Sequence, residues 1–145
     1  MSFSVDLNNQ GMARILVRIE GMRGSAIYLF LVDTGSTYTT LPENDCVNLG
    51  LVKSEKIVHL RTAGGIISAP LYSASKMTIE GTELTAKNVK VIAKTIPGIP
   101  ALLGMSFLKG FDFYLRESKG KFVIERSHCN RGENFKIPAG LPSKL

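Results

Sequence analysis

The chain has only two cysteines among its 145 residues, Cys46 and Cys129. They form neither a CxxC pair nor a disulfide framework, so a thiol redox motif and a stapled scaffold are both unexpected. His128 stands next to Cys129, but neighbouring side chains point apart on any regular element, and one adjacent pair is too little to hold a metal. Two reduced thiols in a cytoplasmic protein without a metal centre is the expectation. Long apolar runs are missing too: no stretch of 18 apolar residues occurs, so no membrane-spanning helix is expected. The opening MSFSVDLNNQ has no basic stretch and no apolar core, so it does not read as a signal peptide.

Acids are scarce. Asp and Glu number 12 against 18 Lys and Arg, for a net charge of +6. The excess is uneven. Residues 1–115 carry 11 basic and 9 acidic side chains, whereas residues 116–145 carry 7 and 3. A nucleic-acid partner would need that terminal charge organised on one surface. The segment instead contains Pro138 and Pro142 and shows no period, which reads as a solvated basic tail. The expected division is a folded domain over 1–126 and a Pro-containing tail over 127–145, with no nucleic-acid partner and no membrane association.

The chain does have turn formers and β formers. Fourteen glycines punctuate stretches rich in Val, Ile and Thr, the mark of short strands and tight turns. Strands are expected at 14–19 and 26–32 around the turn 21–24, and the second is apolar enough to be buried on both faces. A short helix is expected from Pro42, taken as its first residue, to about Gly50, with Glu43 and Asp45 in its first turn and Val47, Leu49 and Leu51 packing inward. Strands follow at 56–62 and 66–72 around Ala63-Gly64-Gly65, then at 76–79 and 84–93 around 80–83. Ala101–Gly104 reads as a short buried strand, 105–108 as a helical turn, and 111–116 with 121–125 as a last hairpin.

One stretch stands apart from this pattern of turns: FLVDTGSTYTTLP, residues 30–42. An apolar strand delivers a carboxylate to its end, where it is costly to desolvate unless something pairs with it or uses it. Gly35 lets the backbone turn closely beneath Asp33, and Thr34 and Ser36 supply hydroxyls. The plain alternative is an aspartate capping a turn. The remaining aspartates, Asp6, Asp45 and Asp112, are followed by Leu-Asn, Cys-Val and Phe-Tyr, so the chain carries a single loop of this kind.

Over residues 14–126 the order of features resembles the retropepsin-like aspartic proteases, and most of all their bacterial soluble branch. An apolar strand enters Asp33-Thr34-Gly35-Ser36. A glycine-tipped hairpin, Thr62-Ala63-Gly64-Gly65-Ile66, follows about thirty residues later, where that family carries its flap. Leu102-Leu103-Gly104 then matches the strand beside the catalytic loop, and the helical turn 105–108 comes directly after. The resemblance implies a mostly β fold, a closed barrel equivalent to half of an acid protease, with one or two short helices. It also implies an aspartic endopeptidase that uses no cofactor and acts on polypeptides. Asp33 would be catalytic, with Thr34, Gly35 and Ser36 supporting its loop.

Two carboxylates sharing one proton are what this chemistry needs. With one Asp-Thr-Gly loop per chain, the second acid must come from a second copy, and a two-fold homodimer brings Asp33 to Asp33 on its axis. The Ser36 hydroxyl is expected to favour the ionised carboxylate by hydrogen bonding to it. Ile66, Ile99, Leu31 and Leu102 are candidates to line side-chain pockets. Retroviral members tie their dimers with interleaved terminal strands. The stretch equivalent to theirs falls within or after 121–126, and residues 1–12 are a candidate to take that role. A catalytically inactive dimeric peptide-binding module on the same fold is the rival reading, and a basic nucleic-acid binder rests only on the tail.

Overall fold

The structure is a computed structural model, and it describes residues 1–94 and 101–127. Ten strands and two short helices follow one another in the described residues: β1 (Ser2–Asp6), β2 (Arg14–Glu20), β3 (Ser25–Val32), β4 (Thr39–Leu41), α1 (Glu43–Leu49), β5 (Val52–Thr62), β6 (Gly65–Ile79), β7 (Thr85–Ala93), β8 (Leu102–Leu103), α2 (Met105–Leu108), β9 (Phe111–Arg116) and β10 (Lys121–Arg126). Cys129, His128, Ile99 and all of the expected tail beyond Ser127 lie outside the described residues. No helix among the described residues is long and apolar enough to cross a membrane.

Alternation explains the main sheet. In β2, Ile15, Val17 and Ile19 point inward and are fully buried, while Arg14 and Leu16 face out. The inward set packs with Phe30, Met77, Ile79, Leu84, Val91 and Phe107 in the principal core. Burying each such side chain contributes about 1.5–3 kcal/mol. β3 departs from its expected two-sided burial. Phe30 is buried, but Ile27 and Leu29 are 41% and 51% exposed, because β2 and β3 share one solvent-facing side.

The seven-strand sheet runs β4-β7-β6-β2-β3-β8, with β5 joined to β6 alone. A separate three-strand sheet runs β1-β10-β9. The backbone ladders of the described residues do not close into a ring. The two end strands meet instead through side chains: the Leu102 N–H donates to Thr40 Oγ1 at 2.9 Å, and the Gly104 N–H donates to Thr39 Oγ1 at 3.2 Å. Thr39 and Thr40 are buried, so these bonds satisfy hydroxyls that would otherwise carry a desolvation cost.

Several elements differ from the sequence-based expectation. β6 is one strand of 15 residues rather than two, pairing first with β5 and then with β2 and β7. The small residues Ser73-Ala74-Ser75 resemble a break but leave the strand unbroken. β5 begins at Val52, ahead of an irregularity between Lys53 and Ile57. β1 was not expected as a strand. Its Phe3 and Val5 face inward while Ser2, Ser4 and Asp6 face out, and it pairs antiparallel with β10 of its own chain. In this single copy, then, the segment 1–12 supplies an intramolecular strand.

Pro42 precedes the first turn of α1 as its N-cap residue, in extended conformation, rather than opening the helix. Val47 is 49% exposed, so Leu49, Leu51 and Cys46 anchor α1 in its place. The acids of the first turn also hold the helix to the sheet: Tyr28 Oη donates to Asp45 Oδ1 and Tyr72 Oη to Glu43 Oε2, both at 3.2 Å. Burial, with Asp45 beside it, pushes the Tyr28 hydroxyl up to about 12. Burial, reinforced by Asp45 and Glu43, likewise pushes the Cys46 thiol up to about 12. Cys46 is a core residue whose burial favours the protonated thiol.

Candidate active site

β3 carries Asp33 to the surface at its C-terminal end. Beside it, β8 runs parallel, pairing Leu31 with Leu102 and Val32 with Leu103. The Asp33 N–H donates to the Leu103 carbonyl at 3.0 Å, extending this pairing to the acid itself. A turn follows at once. The Gly35 N–H donates to Asp33 Oδ1 at 3.0 Å, and the Ser36 N–H to the Asp33 carbonyl at 3.1 Å. The carboxylate thus has one backbone donor from its own loop and remains half-buried, with one side open.

The loop is fixed from below by Gly104 and α2. The Met105 N–H donates to the Ser36 carbonyl at 2.8 Å and the Ser106 N–H to the Thr37 carbonyl at 2.9 Å. Such an approach needs glycine at 104. A Cβ there would lie 2.2 Å from the Tyr38 carbonyl oxygen and 2.7 Å from that of Ser36. Ser106 adds a second tie. Its hydroxyl accepts the Thr39 N–H at 2.9 Å, lies 3.0 Å from Thr39 Oγ1, and donates to the Lys90 carbonyl at 2.7 Å. Asp33 therefore sits on a hydrogen-bonded platform made from β3, β8, β4 and α2.

Ser36 does not hold the carboxylate. Its hydroxyl donates 2.7 Å to the Tyr38 carbonyl, so its contribution is to the shape of the loop. Ser36→Ala is expected to lower stability by about 1 kcal/mol through that lost bond and to leave the pH–rate profile in place. A profile displaced along the pH axis would show that the hydroxyl acts on the acid after all.

A groove of about 550 Å³ opens over the loop. Asp33, Gly35 and Ser36 form part of its floor, and the β5 residues Val58 to Arg61 form a wall. Thr34 is exposed and faces a different hollow, of about 330 Å³, together with Met12, Val32 and Tyr114. The glycine hairpin is present, with Thr62 paired to Gly65 across Ala63-Gly64. Its tip residues Ala63, Gly64, Gly65 and Ile66 are exposed and do not line the groove of this single copy. Of the other expected pocket residues, Leu31 and Leu102 are half-buried partners across β3 and β8.

Sequence reasoning missed the threonines of β4, Ser106, and the groove residues His59, Arg61 and Lys94. The run STYTT was a signal for the first, since consecutive hydroxyls beside the Asp33 loop have to be satisfied somewhere. The groove residues had none, because their grouping depends on how β5, β7 and the loop meet. No cluster of three His, Cys, Asp or Glu side chains able to hold a metal ion occurs among the described residues.

Residues 17–110 match the family described as gag-polyprotein putative aspartyl protease. The chain belongs to this family. The matched segment starts within β2 and ends just past α2, so it takes in the Asp33 loop, the hairpin and the Leu102–Gly104 strand. Among solved structures, the chain is similar to the crystal structure of a retropepsin-like aspartic protease from Rickettsia conorii. The TM-score is 0.63 at 22% identity, covering 86% of this chain and 90% of that one. That likeness establishes a mostly β, retropepsin-like fold for this aspartyl protease family member. No curated protein matches the chain.

Proposed function

We propose that the protein is an aspartic endopeptidase whose active site forms between two copies of the chain. The observation that carries this reading is a single Asp-Thr-Gly loop, held by Gly104 and α2, that presents one half-buried carboxylate to an open groove. Family membership supports a peptidase. The requirement for a second acid supports a two-fold homodimer, in which Asp33 of one protomer faces Asp33 of its partner.

In that arrangement two nearby carboxylates cannot both ionise readily, so the pair shares one proton and holds a water. The ionised member takes a proton from the water as its oxygen attacks the peptide carbonyl carbon. The protonated member passes its proton to the carbonyl oxygen. Collapse of the tetrahedral species returns that proton, and the leaving nitrogen takes up the other as the C–N bond breaks. Gly35 N–H, 3.0 Å from Oδ1, keeps the carboxylate oriented through these transfers.

Two further features support the reading. β5 pairs with β6 alone among the described strands, so its other edge is free to bind an extended polypeptide by strand addition. Thr34 has no side-chain hydrogen bond among the described residues. The hollow beside it is flanked by exposed Met12, Tyr114 and Leu115, a surface suited to burial against a second copy. Closure of the sheet into a complete barrel belongs to the same proposal.

The test is hydrolysis of an unfolded protein substrate across enzyme concentrations, with fragments identified by mass spectrometry. Activity per chain should fall on dilution as dimers dissociate, and sedimentation should show the same transition. Full activity from a species that sediments as a monomer would refute the shared site.

A further inference from the structure

We infer that the groove over Asp33 selects polypeptide segments carrying acidic side chains next to the bond that is cut. This rests on the endopeptidase reading above and specifies its substrate class. Among the described residues Asp33 is the only acid lining the groove, whereas Arg61 and Lys94 both line it, together with His59, whose Nδ1 lies 2.8 Å from Ser68 Oγ. Three ion pairs occur among the described residues, Arg18–Glu80, Lys76–Glu20 and Lys121–Asp6. Neither Arg61 nor Lys94 belongs to one, and neither side chain makes a hydrogen bond there. The Asp33 carboxylate is not their partner either, since its bond comes from the Gly35 N–H.

The positions of these cations suit flanking subsites. Arg61 lies on β5 two residues before Ala63 at the hairpin tip, in register with Ile66. Lys94 is held just past β7, its N–H donating 3.0 Å to the Leu41 carbonyl at the end of β4. The Arg61 and Lys94 backbones thus belong to different elements around the floor that carries Asp33. A peptide laid along the free edge of β5, with a carbonyl at Asp33, brings side chains within reach of these cations. A guanidinium without a partner offers a carboxylate paired, charge-assisted hydrogen bonds, and an ammonium adds a point charge. A basic substrate side chain meets like charge at the same places, and discrimination by repulsion is as effective as discrimination by attraction. The chain's net charge of +6 acts in the same direction by steering acidic segments toward the protein.

The test uses sets of otherwise identical peptides in which one flanking position is Glu, Gln or Lys, with that position walked along the sequence. At the best position, kcat/KM at low salt should rank Glu over Gln over Lys, with Glu favoured over Gln by about two- to fivefold and the margin narrowing as salt is raised. Arg61→Gln combined with Lys94→Gln should bring the Glu-to-Gln ratio close to one, and Arg61→Glu with Lys94→Glu should invert the order. Equal rates for all three peptides in the native protein, or a ratio that survives the double glutamine substitution, would overturn the inference. The same peptides, fluorescently labelled, are also titrated onto the Asp33→Asn protein. Charge-ranked binding without cleavage by the native protein would uphold the selectivity and refute the peptidase. Cleavage without charge ranking would do the reverse.

Discussion

Replacing Asp33 by Asn should abolish peptide hydrolysis, lowering kcat/KM by about 10⁴-fold or more, while the protein folds as before. The two halves of that expectation have separate causes. Asn can neither take a proton from water nor donate one to a carbonyl oxygen at neutral pH, so both roles of the pair disappear, and a homodimer loses them in both protomers at once. The fold should hardly respond. Asp33 is half-buried, and its structural contact is the Gly35 N–H bonded to Oδ1, which the amide oxygen of Asn can accept equally well. Circular dichroism and the denaturation midpoint should therefore match the native protein. Retained cleavage would remove Asp33 from the chemistry, whereas lost folding would make the acid structural.

Gly104→Ala should be the most damaging single methyl in the described structure near the loop, costing about 3 kcal/mol or more. The added Cβ would sit 2.2 Å from the Tyr38 carbonyl oxygen and 2.7 Å from the Ser36 carbonyl oxygen. Neither oxygen is free to move. The first accepts the Ser36 hydroxyl and the second accepts the Met105 N–H. Relief of the clash must push the Asp33 loop away from α2, so activity should fall together with the unfolding midpoint. Gly110→Ala is the matched control. Its Cβ would meet only the Phe107 carbonyl oxygen, at 3.9 Å, and its stability should stay within about 0.5 kcal/mol of the native value. Equal effects at the two positions would show that the close approach at Gly104 is not what holds the loop.

The parts of this architecture that are local were legible in the sequence. Apolar alternation in Arg14–Ile19 predicts β2, glycines at 21 and 24 predict the turn after it, and Ala63-Gly64-Gly65 predicts the hairpin between β5 and β6. The Asp33 loop and its neighbour Leu102-Leu103-Gly104 were readable because a strand end, an acid and a glycine occur in one short stretch and a second glycine strand follows in the right order. The resemblance to a known family tied these two stretches together. Neither periodicity nor spacing could show that Gly104 lies under the Tyr38 carbonyl.

What depends on distant partners was hidden. The hydroxyls of Thr39 and Thr40 are buried because they accept from backbone N–H groups at β8, over 60 positions away. Leu29 looked like core because its neighbours are apolar. It is exposed because β3 has a solvent side. The Ser36 hydroxyl lies close in sequence to the carboxylate but turns to Tyr38, a choice between two nearby acceptors that the letters do not encode. β1 did carry a signal, the alternation of Phe3 and Val5 with Ser2, Ser4 and Asp6. Its partner β10 begins more than 110 residues later, so a five-residue strand at the chain start had no local companion to identify it.

The claim on which the account turns is that each active site takes one acid from each of two chains. Its most direct test is activity in mixtures of native and Asp33→Asn chains, refolded together at constant total concentration. If a mixed dimer holds one carboxylate and cannot share a proton, activity should follow the square of the native fraction, so an equal mixture retains about one quarter of the native rate. A linear decline, with about one half retained in the equal mixture, would mean that each chain works alone and would contradict the shared pair.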